Sequence, residues 1–480
     1  MADTTGSAAW RRWRGLLLWA GVLLVLGAYL WMVDVPRGRE AQQHSEQADK
    51  LLTFDAGSAT ALVLTTANST ISLSKDQGRD WQILTPLKTA ADQAAVRSLL
   101  MRLKDAERLR VIDEQPSALE QYGLAPAAVS LRITASGVVH EVDFGTDSPV
   151  GASSYVRVLP AAGTASPAGP PPAPVLLVPR EVKEAVDKNL FDLRTKELFD
   201  LSAADVTSVE LRYPDQPTPL IRLERQAAPP AVEARPHGWR VVAPIHAAAD
   251  DGVVQSLVDQ VSSLRATAIF DDGKTNKLKE LTKPKAEITL QVGGKSDEVK
   301  FYFPLSEEAA YAVTTPDAPL YQVDRESVLQ LEKSLFDLRD KRIVEMDPEK
   351  VQRLQVDREG ESYQLNRRGE DWLYQGEPLS KTASEKLRKF LDALWRARVD
   401  KIAGDSASAW PKLGLGAGAI TITLFSGDQT SLHSVVVRLG KKEGKLLYIR
   451  RGDDIESYII SKPLIDLLPT KREVVVNTNS

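Results

Sequence analysis

The chain contains no cysteine. This excludes disulfides, cysteine nucleophiles, thiolate zinc sites and a lipid-modified N-terminal cysteine. It leaves the redox compartment open, because a chain without thiols is tolerated in both. Histidine is scarce: His44, His140, His237, His246 and His433 are all there are. None stands in H-x-x-x-H or H-E-x-x-H, so a zinc hydrolase has no support. His237 and His246 flank one tryptophan turn but lack a third ligand. There is no G-x-S-x-G elbow and no G-x-x-x-x-G-K-[ST] loop. Net positive charge is also missing. A formal charge of −4 and a pI near 5.9 argue against a broad nucleic-acid surface. No cofactor or metal is indicated.

Long hydrophobic runs are equally rare, with one exception. "GLLLWAGVLLVLGAYLWMV", residues 15–33, carries no charge. Its nineteen residues would span about 28 Å as a helix, close to the hydrocarbon core of a bilayer. Arg11, Arg12 and Arg14 precede it, and Trp10, Trp13, Tyr29 and Trp31 lie near its ends. The run is longer than a signal-peptide core and no A-x-A-like site follows. The expectation is a single-pass, uncleaved inner-membrane anchor. Residues 1–14 form a cytoplasmic tail, 34–52 a linker, and the bulk of the chain is periplasmic or extracytoplasmic.

The soluble part repeats itself. "LFDLR" occurs at 190–194 and again, 145 residues on, at 335–339, with a weaker "LIDLL" at 464–468. Trp81, Trp239 and Trp372 each follow a polar or glycine turn and precede a short apolar run ending in proline. Positions 15, 18, 19 and 22 after each tryptophan are Val96, Leu99, Leu100, Leu103; Val254, Leu257, Val258, Val261; and Leu387, Phe390, Leu391, Leu394. All are apolar, at the spacing of one helix face. Asp92 and Asp250 stand at the helix starts, where a carboxylate suits free N–H groups. The third copy has Ala383 there, then Ser384 and Glu385.

Alternating runs such as "AVSLRITA", "AEITLQVGG" and "AITITLFSG" predict half-buried antiparallel strands. The Pro/Ala/Gly stretch at 160–174 lengthens one hairpin. The predicted fold is therefore α+β: an N-terminal transmembrane helix, then three tandem homologous domains at 53–200, 201–345 and 346–480. Each has a mainly antiparallel sheet, a long helix after the tryptophan strand and a closing helix. Val186, Leu190 and Leu193 recur as Leu331, Leu335 and Leu338 on the buried face of that closing helix. Asp192 with Lys196, and Asp337 with Lys341, are expected as i,i+4 pairs on its outer face.

The signature residues Trp81, Trp239, Trp372, Leu190, Phe191, Asp192, Leu335, Phe336 and Asp337 are accordingly structural, with the tryptophans filling the space between sheet and helix. Trp395 and Trp410 occur only in the third unit and are candidates for an exposed contact. "GLGAG" at 414–418 is a turn into a strand, "DDGKTNK" at 271–277 lacks calcium ligands, and "RGD" at 451–453 is a charged hairpin tip.

The tryptophan turn, the amphipathic helix, "YGL-x-P", the glycine of "DFG" (143–145) and "RLG" (438–440), and the closing "LFDLRDK" resemble the bacterial domain-of-unknown-function family DUF4340. The likeness covers roughly 53–480. It implies a membrane-anchored extracytoplasmic protein, often encoded beside ABC-2-type transporters and gliding-motility-like components. It assigns no catalytic residue. The middle unit departs with "KELTKP" (279–284) for "QYGLAP", and the third with "LIDLL". The expected function is non-enzymatic: an extracytoplasmic scaffold or interaction protein, accessory to ABC-type export or motility machinery. Its partners would be the membrane and other envelope or transporter proteins, with no nucleic acid; the sequence gives no oligomeric state. The alternatives are a periplasmic small-ligand or glycan receptor and, further off, an envelope hydrolase using Asp271, Asp272 and Glu280.

Overall fold

The computed structural model describes residues 49–75, 80–160, 173–226, 238–271, 281, 283–303, 309–315, 317–427, 433–452, 454–462 and 464–475. The expected cytoplasmic tail, anchor and most of the linker lie outside them. Among the described residues, no helix is long and apolar enough to cross a membrane.

Three nine-stranded antiparallel sheets dominate. The first holds β1 (Ala59–Thr66), β2 (Thr70–Lys75), β3 (Trp81–Thr85), β4 (Thr89–Ala90), β5 (Arg110–Asp113), β6 (Val129–Ala135), β7 (Val138–Asp147), β8 (Ser153–Leu159) and β9 (Val175–Pro179), in the order β4-β3-β2-β1-β6-β7-β8-β9-β5. The second holds β10 (Val206–Arg212), β11 (Leu220–Arg225), β12 (Trp239–Ala243), β13 (Ala247–Ala248), β14 (Ala266–Phe270), β15 (Ala286–Val292), β16 (Lys295–Tyr302), β17 (Ala310–Val313) and β18 (Leu320–Val323). The third holds β19 (Val351–Arg358), β20 (Glu361–Arg368), β21 (Asp371–Tyr374), β22 (Glu377–Pro378), β23 (Lys401–Gly404), β24 (Ile420–Ser426), β25 (His433–Glu443), β26 (Leu446–Arg451) and β27 (Ser457–Ile460). All three share one strand order.

Period-2 burial sets the register. Leu62 lies between Leu73 and Ile133, and Leu64 between Ile71 and Leu131. Val209 and Leu211 sit likewise between Leu223 and Leu290 and between Ile221 and Ile288. In the third sheet Leu354 and Val356 take the same places. A one-residue slip would turn these rows to water.

One long helix packs on each sheet: α1 (Gln93–Asp105), α4 (Asp251–Ser262) and α7 (Lys381–Arg396), with α2 (Arg180–Val186), α3 (Leu190–Leu193), α5 (Arg325–Gln330), α6 (Leu335–Leu338), α8 (Leu464–Leu467) and α9 (Lys471–Val475) the shorter ones. The twelve apolar positions counted from the tryptophans are all buried. At about 2 kcal/mol per side chain, four such residues outweigh any surface pair on the helix. Asp92 accepts from the N–H of Ala94 and Ala95, and Asp250 from Gly252 and Val253. The third helix differs: Ser380 caps it through the N–H of Ala383, so it begins three positions earlier and Ala383 is buried inside it.

Two expectations need correction. The fold is mostly β, and the closing helix is not continuous. α2 stops at Val186 and α3 is a single turn started afresh by Asn189. Val186 and Leu193 are buried, while Leu190 packs only partly against the core. The short strands β5, β14 and β23, which follow the long helices and form one edge of each sheet, were not expected.

The chain divides into two compact units. One comprises residues up to Asp200 with Ser263–Glu280 and Asp317–Asp324. The other comprises Leu201–Ser262, Leu281–Pro316 and Arg325–Ser480. β14 and β18 thus count with the first unit, although they complete the second sheet.

Candidate functional site: the repeat junctions

Asp192 and Asp337 do not pair with the lysines four residues on. Each closes a capping box. Asn189 Oδ1 accepts from the Asp192 N–H at 3.0 Å, and Asp192 Oδ2 from the Asn189 N–H at 2.9 Å. Ser334 and Asp337 repeat this at 3.2 and 3.0 Å. A four-residue turn has almost only unsatisfied backbone groups, so reciprocal capping decides whether it forms. Burial pushes the Asp337 carboxyl up, but the Ser334 hydroxyl and N–H and nearby lysines outweigh it and hold it below the usual carboxylate range. The lysines instead lie over the neighbouring phenylalanines. Lys196 Nζ is 4.9 Å from the Phe191 ring and donates to Asp192 O, and Lys341 Nζ is 5.0 Å from Phe336 and donates to Asp337 O. Phe191 and Phe336 are half-buried.

The segment after each turn is a strand shared by two sheets. Asp92 N–H donates to Leu193 O and Thr195 N–H to Ala90 O, at the β4 end of the first sheet. On the other side Ala266 N–H donates to Lys196 O and Leu198 N–H to Leu264 O, at the start of β14. The second junction copies this. Asp250 bonds Leu338 O and Asp340 bonds Ala248 O, while Val399 bonds Lys341 O and Ile343 bonds Ala397 O. Sheet edges that strand addition could have used are thus partly taken up within the chain.

The arginine of "LFDLR" seals each seam. Arg194 is 5% exposed and its Nη1 lies 2.7 Å from Asp271 Oδ2. Arg339 grips Glu456 with both terminal nitrogens, at 2.9 and 2.6 Å. The two acids come from different strands: Asp271 follows β14, whereas Glu456 precedes β27. Gly404 stands where Asp271 would be, 32 residues after its tryptophan, and Pro319 precedes β18 where Glu456 precedes β27. A side chain at 404 has no room, since its Cβ would come within 2.7 Å of Ala409 Cβ.

The second seam is the richer. Arg451 donates to the carbonyls of Asp340 and Arg342, to Asp454 at 2.9 Å and to the Tyr458 hydroxyl at 3.0 Å. Arg342 is paired with Asp340. The Tyr458 hydroxyl lies within hydrogen-bond distance of both Asp454 and Glu456, at 2.8 and 2.9 Å, and shares its one proton between them. Burial pushes the Tyr458 phenol up, so at neutral pH it stays protonated and serves as a donor to carboxylates. Burial also raises the Glu456 carboxyl, but the hydrogen bonds from Arg339 and Tyr458 and the charges of Arg339 and Arg451 more than reverse this. Arg451 ends β26 at the β26–β27 turn, so "RGD" begins at the hairpin tip expected, but its side chain turns into the seam; Asp453 lies outside the described residues.

The first and third repeats vary the theme. Residues 49–51 dock on 106–108 as the connectors dock elsewhere: Arg108 N–H donates to Asp49 O and Leu51 N–H to Ala106 O. Asp113, the counterpart of Asp271, accepts from Tyr122 at 3.3 Å. In the third repeat the arginine position is Leu468, which is buried. The earlier start of α7 takes up the residues that bond the connector at 90–92 and 248–250. Tyr363 donates instead to Pro469 O, and Val474 of α9 is buried.

The family glycines are a backbone clip. A Cβ on Gly145 would lie 2.0 Å from Tyr122 O, and one on Gly440 2.4 Å from Leu413 O. Gly123 and Gly414 close the clip from the other side at φ of +65° and +69°, where L side chains are strained. "YGL" thus locks onto "DFG", and "LGL" onto "RLG".

The three repeat tryptophans are buried at 3–7% exposure. The Trp81 and Trp239 N–H groups donate to Gln93 and Asp251 on the first helical turns. Trp395 is 41% exposed. Trp410 is engaged internally: its ring stacks on Arg450 at 3.8 Å and its Nε1 donates to Ile455 O. Leu190 and Leu335 are half-buried. Of the hydrolase carboxylates, Asp271 is bound to Arg194, and Asp272 and Glu280 lie outside the described residues, as does His237. His246 is exposed. Among the described residues no group of three or more His, Asp or Glu could hold a metal ion. Two open hollows of about 450 and 500 Å³ lie side by side on the first repeat and share Ser98, Arg102 and Glu181.

The geometry defines a class: a tandem array of antiparallel sheet units whose signature residues build cores, clips and seams. The family model described as Domain of unknown function (DUF4340) matches residues 81–236 and 239–383. This is more than half of the chain, and the chain belongs to that family. Each match begins at the tryptophan strand, so its frame starts two strands later than the sheet. No curated protein and no solved structure matches the chain.

Proposed function

We propose that the chain is a non-enzymatic, membrane-anchored extracytoplasmic scaffold, accessory to an ABC-type export or motility machine in the bacterial envelope. The observation that supports this most is the use of buried charge. The densest network of arginines, carboxylates and tyrosine in the described residues ties one repeat to the next, which suits a protein whose task is to hold parts at fixed spacing. The uncharged run at 15–33 would fix it to the inner membrane. Trp395 and the exposed sheet surfaces would meet the partner. The transporter link rests on the family resemblance.

Two experiments test the reading. Alkaline carbonate extraction should leave the full chain in the membrane fraction and release one lacking 15–33. Cross-linking in intact cells followed by purification should recover a transporter permease or another envelope protein; recovery of neither counts against the scaffold. A small-ligand receptor is the second reading, supported by the adjoining hollows on the first repeat. Substituting Arg102 would then abolish binding of an anionic ligand without altering the recovered proteins.

A further inference from the structure

The edge strand β5 differs from β14 and β23. Glu107 through Val111 are exposed without a break, with Leu109 at 57% and Val111 at 43%. At the position of Arg108 the other repeats carry Ala266 and Val399, both buried. Arg108 and Arg110 have no side-chain hydrogen bond or ion pair among the described residues. β5 pairs with β9 on one side only and ends the sheet. Among the described residues, 49–51 bond 106–108. An open edge bearing exposed apolar side chains is what sheet proteins ordinarily avoid. In the other two repeats an arginine from the preceding repeat reaches the acid at this end of the sheet; here, among the described residues, Asp113 has Tyr122 and a local N–H.

We propose that the outer edge of β5 accepts an extended segment of another envelope protein as an added strand. That segment would be acidic where it faces Arg110, with the Arg108 side chain in diagonal reach because Asp49 already bonds the Arg108 N–H, and apolar where it meets Val111. This rests on the scaffold reading and names its partner chemistry. Charge complementarity selects the occupant. Pairing with a second copy in the registers that match Leu109 with Leu109 or with Val111 sets arginine opposite arginine, which opposes self-association. An acidic strand gains main-chain hydrogen bonds from Arg110 onward, an apolar contact with Val111, and an ion pair with Arg110 that Arg108 supports from the diagonal position.

The test uses the full chain in detergent and a fluorescein-labelled peptide of alternating Glu and Val, read by fluorescence polarisation. Saturable binding is expected. It should weaken roughly tenfold or more for the double variant Arg108→Glu with Arg110→Glu, and for a Lys/Val peptide. Methylating alternate backbone nitrogens of the peptide should abolish it. The double variant alters only exposed side chains, so its melting temperature should match the parent's; Arg97→Glu, at an exposed position of α1, serves as a charge control. No binding, equal binding of the Lys/Val peptide, or indifference to charge reversal overturns the proposal. A concentration-dependent dimer that loses mass when Val111→Glu is introduced assigns the edge to a second copy and overturns it too. So does tenfold tighter peptide binding by a chain lacking 34–48, which would assign the edge to the chain's own upstream segment. If cross-linked cells return the same envelope partner from parent and double variant, this inference fails while the scaffold stands.

Discussion

Arg339 and Glu456 hold each other where neither is comfortable alone. Replacing Glu456 by Gln leaves a guanidinium that is 12% exposed without its counter-charge. We expect a loss of about 2 kcal/mol at neutral pH, less than for a fully buried pair because the Glu456 side chain keeps 27% of its exposure. The pH dependence carries a sign. The folded-state carboxyl lies below its ordinary value of 4.5, so its contribution is present above that value and is lost as pH falls through the lowered one. Thermal melts at stepped pH should show the parent losing stability below about pH 4.5 more steeply than Glu456→Gln. At the clip, Gly145→Ala drives a methyl onto the Tyr122 carbonyl. Neither atom is the end of a flexible side chain, so a backbone must shift, and we expect a cost of about 2–3 kcal/mol by urea denaturation.

Elements show what patterns in the chain could and could not disclose. The long helices were legible because four buried positions at 3.6-residue spacing have no other reading, and Asp92 and Asp250 mark their starts. The third start was not, since Ser380 outcompetes a position that elsewhere holds aspartate. The closing helix was misread because Val186, Leu190 and Leu193 keep helical spacing across a break that only the caps reveal; Asn189 and Ser334 were the available signals. β5, β14 and β23 escaped because four or five residues carry too little alternation. Asp271 was singled out only as a hydrolase candidate and Glu456 not at all; the seam role of either was illegible, since their partners lie 77 and 117 residues away. For the turns themselves, Ser334→Ala removes the acceptor for the Asp337 N–H. It should cost about 1 kcal/mol in chemical denaturation, and Ser334→Asn, which copies Asn189, should restore most of it.

For the molecule, the seam makes domain boundaries a matter of sharing. Residues 194–199 are bonded to sheets on both sides, and Leu198 and Phe199 are buried. A fragment beginning at 201, as the repeat period alone proposes, loses both side chains and the partner of Asp271. One beginning at 190 keeps them. We expect the 190–345 fragment to exceed 201–345 by about 3 kcal/mol in urea melts. Equal midpoints would show that the connector belongs to the first repeat alone.

Because the carboxylate facing the seam arginine sits after β14 in one repeat and before β27 in another, aligned relatives compared column by column would score it as missing from each position in turn. Substitution patterns at 271 and 404, read jointly with 319 and 456, should instead trade an acid from one strand to its neighbour while the total stays at one.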